Sequence, residues 1–202
     1  MDKHGYSFKD KVKDPCYWGD NAHNLNKVAN LLEIYPSVIG SLSGLLSDQN
    51  DIASVDFDEE SDSLYCIRVS LMVRAFAVEN MLKAIFLLLV GSEKIDVIVG
   101  KNGDMRINNF FFEKSKGHDL CYLSKEINKL SEIKIDLEKL GTPLRQLMLF
   151  MELGRYVSPI TYYPNTLNEK SSVQVRYRDV FYELERTYFK VRKIPYPFEL
   201  GS

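Results

Sequence analysis

Residues 74–91 read RAFAVENMLKAIFLLLVG, and their pattern decides the fold. The second half, from Ala84 to Val90, is apolar at every position. A helix that is hydrophobic all round has no face to offer water and needs partners on several sides. The first half sets Arg74, Glu79 and Lys83 among apolar neighbours, so each of these charges calls for a partner inside the protein. The stretch therefore reads as a central helix, the end of an apolar segment that begins near Ser63. Its longest uncharged apolar run, Ala84–Gly91, is far too short to span a bilayer, and no membrane association is expected.

Upstream, residues 1–19 are polar with scattered aromatics (Tyr6, Phe8, Tyr17, Trp18) and read as an irregular lead-in. Asp20 or Asn21 is a good N-cap. Ala22, Leu25, Val28, Ala29, Leu32 and Tyr35 then follow at helical spacing up to Pro36, which is expected to end that helix. A second, shorter helix is predicted over 37–47. Asp56 to Asp62 holds five acidic residues. They read as a solvated loop and the acidic start of the next helix, since the ligand spacing of a calcium loop is missing.

Downstream, Ile95, Val97 and Val99 alternate, Gly100–Asp104 is rich in turn formers, and Met105–Phe112 resumes an extended pattern. That is the signature of a small β-hairpin inserted between helices. Leu120, Leu123, Ile127 and Leu130 mark a further helix capped near His118 or Asp119. A turn is expected at Asp136–Leu140. Thr142-Pro143 reads as the start of another helix, Leu144–Leu153. A long loop follows from Gly154. The last helix, about 173–194, sets Val173, Tyr177, Val180, Leu184, Tyr188 and Val191 on one face. Arg176, Arg178, Arg186, Lys190 and Arg192 form the opposite face, read as solvated. Residues 20–194 thus make one all-α domain with a small β-hairpin, and 195–202 a short tail.

Composition narrows the function classes. The chain of 202 residues is 45% hydrophobic and 27% charged, the balance of an ordinary globular protein. A net charge of −2 argues against nucleic-acid binding by bulk charge. The charge is uneven, since residues 142–202 carry +3 and residues 1–141 carry −5. Cys16, Cys66 and Cys121 show no metal-ligand spacing, and with no apolar leader at the start they read as reduced thiols of a cytoplasmic protein. A Gly-rich phosphate loop, a Gly-x-Ser-x-Gly elbow and a His/Cys metal cluster are all missing, so no cofactor or metal is expected.

Ala77-Val78-Glu79-Asn80-Met81-Leu82-Lys83-Ala84 resembles the A-x-E-x-x-L-K-A helix of HEPN domains. Gly91, then Gly117-His118-Asp119-Leu120 opening the next helix, is similar to the G…H-D-L pattern of that family. Leu153-Gly154-Arg155-Tyr156, after an apolar helix, resembles the place of its catalytic arginine. The resemblance covers roughly residues 62–194. It implies an antiparallel helical bundle, often a homodimer, found among RNA-cleaving toxins and phage-defence proteins with antitoxin partners. Active members carry an R-x(4–6)-H motif, and others bind without cutting. Here Arg155 matches the arginine, but Ile160, Thr161 and Tyr162 stand where the histidine belongs. The imidazole that would exchange protons near neutral pH is absent from that place.

The candidate site residues are therefore Arg155, Glu79 and His118, with Tyr156, Tyr162 and Tyr163 beside Arg155. Glu79 is either half of a polar pocket framed with Arg155 or a paired charge that fixes helix register, with Lys83 or Arg155 as partner. His118 is either a displaced catalytic histidine or a residue that caps and packs at a helix start. The three tyrosines either stack on the bases of single-stranded RNA, or pack the loop onto the bundle or make a dimer contact. The leading expectation is a non-catalytic, degenerate HEPN-like interaction module in a toxin–antitoxin or phage-defence setting. The alternatives are a metal-independent ribonuclease using Arg155, and an RNA-binding module without cleavage.

Overall fold

The computed structural model describes residues 8–46, 59–92, 95–99, 105–109, 117–155 and 170–194. In chain order they form α1 (Phe8–Lys13), α2 (Pro15–Leu46), α3 (Glu59–Val90), β1 (Asp96–Val99), β2 (Met105–Asn109), α4 (Leu120–Leu130), α5 (Leu137–Arg155) and α6 (Lys170–Arg192). The mostly helical class and the β-hairpin both follow the sequence reading. β1 and β2 pair antiparallel, with Val97 opposite Ile107 and Val99 opposite Met105, and the register shifts at Asp96/Val97. Among the described residues no helix is long and apolar enough to cross a membrane.

α3 is the axis of a bundle. Leu71, Ala75, Ala77, Val78, Met81, Leu82, Ala84 and Ile85 are fully buried, and they point to different sides of the helix. α2, α4, α5 and α6 all pack against α3. Leu88 and Val90, the end of the all-apolar run, lie in the last turn of α3 and are only half-buried against the core. Gly91 ends the helix at φ 86°, a left-handed conformation that suits glycine, and its N–H donates to the Leu87 carbonyl at 3.0 Å.

Side-chain contacts fix the helix directions. Asn26 of α2 meets Arg74 and Trp18 meets Lys83, so α2 and α3 run antiparallel. His23 and Glu33 of α2 meet Glu185 and Arg178, so α6 is antiparallel to α2. Gln146 and Lys139 of α5 meet Tyr177 and Glu183, so α5 is antiparallel to α6.

Three boundaries differ from those read in the sequence. Residues 8–13 and the stretch from Pro15 are helical, not an irregular lead-in. The Trp18 indole N–H donates to the Val12 carbonyl at 2.9 Å and ties α1 to α2, and proline at the first position of α2 is compatible with a helix start. α2 then continues through Pro36 to Leu46 rather than stopping. An interior proline costs about 3 kcal/mol, and the packing of α2 along α3, the most extensive contact in the bundle, offsets it. Likewise α5 begins at Leu137, not after Thr142, and holds Pro143 inside it. Asp136 supplies the cap, its carboxylate accepting from the Lys139 N–H at 3.0 Å, and Leu140, Leu144 and Leu147 continue one buried stripe across the proline. Leu130 and Val28, placed on apolar faces by their spacing, are exposed.

The last helix buries Tyr177, Val180, Leu184 and Tyr188 as expected, together with Phe181. Its basic face is not uniformly solvated. Arg178 donates from Nε to Glu33 Oε2 at 2.9 Å, and Arg192 lies over the Tyr188 ring.

Leu82 tests the central place of α3. Leu82→Ala should destabilise the fold by about 2–5 kcal/mol, as truncations of fully buried leucines do. Chemical denaturation measures this, and a loss below about 0.5 kcal/mol would place Leu82 at the surface.

Candidate functional site

Glu79 stands on α3 where α4 begins. Its side chain is 6% exposed. Lys83, one turn on, donates to Glu79 Oε1 from the same helix, the favourable order for such a pair. His118, two residues before α4, donates from Nδ1 to the same oxygen at 2.9 Å. Glu79 Oε2 has no hydrogen-bond partner among the described residues. The Lys83 ammonium lies 5.2 Å from the centre of the Trp18 ring, a cation–π distance. Trp18, Lys83, Glu79 and His118 thus form one line from the start of α2 to the start of α4.

The two residues weighed as caps of α4 divide the work. Asp119 is the N-cap, with extended backbone and a carboxylate that accepts from the Tyr122 N–H at 2.8 Å. His118 turns to Glu79 instead, and its side chain is 53% exposed. With Nδ1 donating to a carboxylate, Nε2 is the nitrogen left to serve as acceptor toward solvent in the neutral ring. A buried carboxylate thus orients a half-exposed imidazole toward solvent.

Arg155 is placed elsewhere. It is the last residue of α5. The other end of α5 adjoins the start of α4, where Cys121 Sγ contacts the Gly141 carbonyl at 3.8 Å. Arg155 lies fourteen positions beyond Gly141 along the helix, roughly 20 Å at the α-helical rise. His118 and Arg155 therefore belong to opposite ends of α5. The described partners of Glu79 are Lys83 and His118. Tyr156, Tyr162 and Tyr163 lie outside the described residues.

A second polar cluster, deeper in the bundle, was not anticipated. Arg74 is fully buried. It donates to Asn26 Oδ1 at 2.6 Å, to Asn30 Oδ1 at 3.0 Å and to Glu33 Oε1 at 2.6 Å. Glu33 Oε2 accepts from Arg178. Burial pulls the Arg74 guanidinium down from its ordinary value, and Glu33 opposes that pull. Asn26, Asn30 and Glu33 recur at helical spacing within the apolar pattern of α2, and that polar stripe is the sequence signal that points to them. A half-buried Cys121 completes the His118 end, its thiol pushed up mainly by burial and hence held protonated. Among the described residues no group of three His, Cys, Asp or Glu is placed to hold a metal ion.

Comparison with known protein families, with characterised proteins and with solved structures gives no match.

The two members of the Glu79–His118 pair should respond differently to truncation. Glu79→Ala removes the carboxylate from a buried Lys83 and should cost about 3–5 kcal/mol. His118→Ala breaks a half-exposed contact and should cost about 1 kcal/mol or less. Urea unfolding of both variants measures the contrast, and equal costs would contradict the geometry.

Proposed function

We propose that this chain is a HEPN-like helical module that acts by binding, through self-association and contact with a protein partner such as an antitoxin, and not by cutting RNA. The observation that carries the reading is the separation of the candidate catalytic groups. Arg155 ends α5, and His118 stands beside the other end. An in-line cleavage of RNA requires proton removal from the 2′-hydroxyl and proton delivery to the leaving oxygen. Each positioned acid or base contributes about 10²–10⁴-fold. Arg155 supplies charge and a fork of donors but exchanges no proton near neutral pH. The family setting of toxin–antitoxin or phage-defence systems in the cytoplasm comes with this reading by analogy.

Self-association is supported by exposed apolar residues on α2. Val28, Leu31 and Ile34 follow at three-residue steps and are 46%, 66% and 52% exposed. Large apolar side chains in a row on an outer helix favour a partner surface over water. Tyr182 of α6 is also exposed.

One observation favours the second reading, a metal-independent ribonuclease. His118 is oriented by a buried carboxylate with half of its side chain in solvent. A labelled mixed-sequence RNA incubated with the wild type, Arg155→Ala and His118→Ala separates the cases. No cleavage by any of the three is expected. Cleavage by the wild type that is lost in either variant would establish the enzyme, and RNA retention lost in Arg155→Ala without cleavage would establish the RNA-binding module.

For self-association, sedimentation at micromolar concentration should show a species heavier than the 23.3 kDa chain. Leu31→Glu should shift it toward the monomer. A wild type that remains at the monomer mass across concentrations removes this half of the proposal.

A further inference from the structure

His23 sits between α2 and α6 with both ring nitrogens against acceptors. Nε2 is 2.5 Å from Glu185 Oε1, and Nδ1 is 2.7 Å from the Gly19 carbonyl oxygen. A neutral imidazole has one N–H. It satisfies either Glu185 or Gly19, and its bare nitrogen then faces the other acceptor's lone pairs at hydrogen-bond distance. The imidazolium satisfies both. Phe181 and Phe189 wall the ring in edge-to-face arrangement, at 5.8 Å and 6.5 Å between centroids. The Glu185 side chain is buried, which strengthens its pull on a proton.

Gly19 makes this more than a local contact. It is buried against α6 so closely that a Cβ there would lie 2.8 Å from the Tyr188 hydroxyl. The next residue back is Trp18, whose ring covers Lys83, and Lys83 holds Glu79, which orients His118. The carbonyl that His23 grips therefore belongs to the turn that carries the cover of the Glu79–Lys83–His118 cluster.

We propose that His23 is a proton-operated clasp, which when protonated locks α6 to the start of α2 and fixes Trp18 over the Lys83–Glu79–His118 cluster, and when deprotonated frees that turn. The device stands independently of the binding function proposed above.

The groups that face His23 are Glu185 from α6 and, from its own helix, Asp20 and the Gly19 carbonyl. The hydrogen bond to Glu185 raises the His23 pKa most, against the lowering by burial, and Gly19 and Asp20 add to the rise. Tyr188, the phenol against Gly19, is pushed up to about 12, chiefly by burial, and stays neutral across the range in which the clasp works. A raised folded-state value sets the sign of the linkage. The clasp's contribution to stability is fully present below about 6.5, the ordinary value of a free histidine. It is lost as the pH rises through the higher folded-state value. The fold is tightest in mild acid and loosens at the start of α2 on the alkaline side.

Trp18 is the chain's single tryptophan, so its fluorescence reports on that turn directly. The experiment titrates the full-length chain across the histidine range and follows Trp18 emission, the urea midpoint, and imidazole NMR shifts for His4, His23 and His118. We expect one emission transition that coincides with the His23 shift, has a midpoint above about 6.5, and runs parallel to a fall in urea midpoint with rising pH. Glu185→Gln should move the transition to lower pH, and His23→Gln should remove it. His118→Asn and His4→Asn should leave it in place. A His23 midpoint at or below the free value in the wild type overturns the proposal, whether or not His23→Gln folds. So does an emission transition that is lost in His118→Asn, or that persists unchanged in Glu185→Gln.

Discussion

A helix buried on every side must find a partner for each charge it carries, and α3 carries three such charges in its buried middle. Isolated, each would cost several kcal/mol in the bundle interior. Arg74 is answered from α2, by Asn26, Asn30 and Glu33, and Arg178 of α6 closes the far side of the Glu33 carboxylate. Glu79 and Lys83 answer each other, and then draw in His118 from the start of α4 and Trp18 from the start of α2. Apolar burial supplies the driving force for packing around α3, but it is indifferent to small slides of one helix along another. These directed contacts are not. They fix which residue of α2, α4 and α6 stands opposite which residue of α3.

The two clusters differ in what they offer beyond stability. The Arg74 cluster is closed: the arginine is fully buried and Glu33 nearly so. One carboxylate between two guanidinium groups holds three helices together, and Arg178 reaches solvent at its outer side. The Glu79 cluster is open at one end, because His118 stands half in water. Proton chemistry or contact with another molecule therefore has a route to Glu79 through His118. The His23 contact on the α2–α6 side touches this open cluster through the Gly19–Trp18 turn, which links the packing of the last helix to the cover of Lys83.

Legibility in the sequence followed the range of the physics involved. The run AIFLLLV announces a buried helix by composition alone, the hairpin announces itself by alternation and turn residues, and Asp119 caps α4 by a contact three residues away. Each of these signals is local. Pro36 and Pro143 misled for the same reason. Their cost is local and visible, whereas the packing that offsets it comes from residues far along the chain. Glu79 and Lys83 were legible as a pair because they sit one helical turn apart. That His118 joins them, across 39 residues, was not legible. A histidine beside a helix cap reads as part of the cap until the position of α3 is known.

By itself the sequence determined the mostly helical class, the place of α3 at the centre, the hairpin and the need of Arg74, Glu79 and Lys83 for partners. These follow from periodicity, turn chemistry and the cost of burying charge, all of which act within a few residues. Only the tertiary structure decided who the partners are. Glu33 and Arg178 are 145 residues apart in the chain and meet through one carboxylate. His23 reads as an ordinary helical residue until α6 lies beside it and sets Glu185 against its outer nitrogen. Arg155 and His118 gain their separation from the length and direction of α5. Partner choice depends on helix register and crossing, and those are set by the packing of the whole bundle at once.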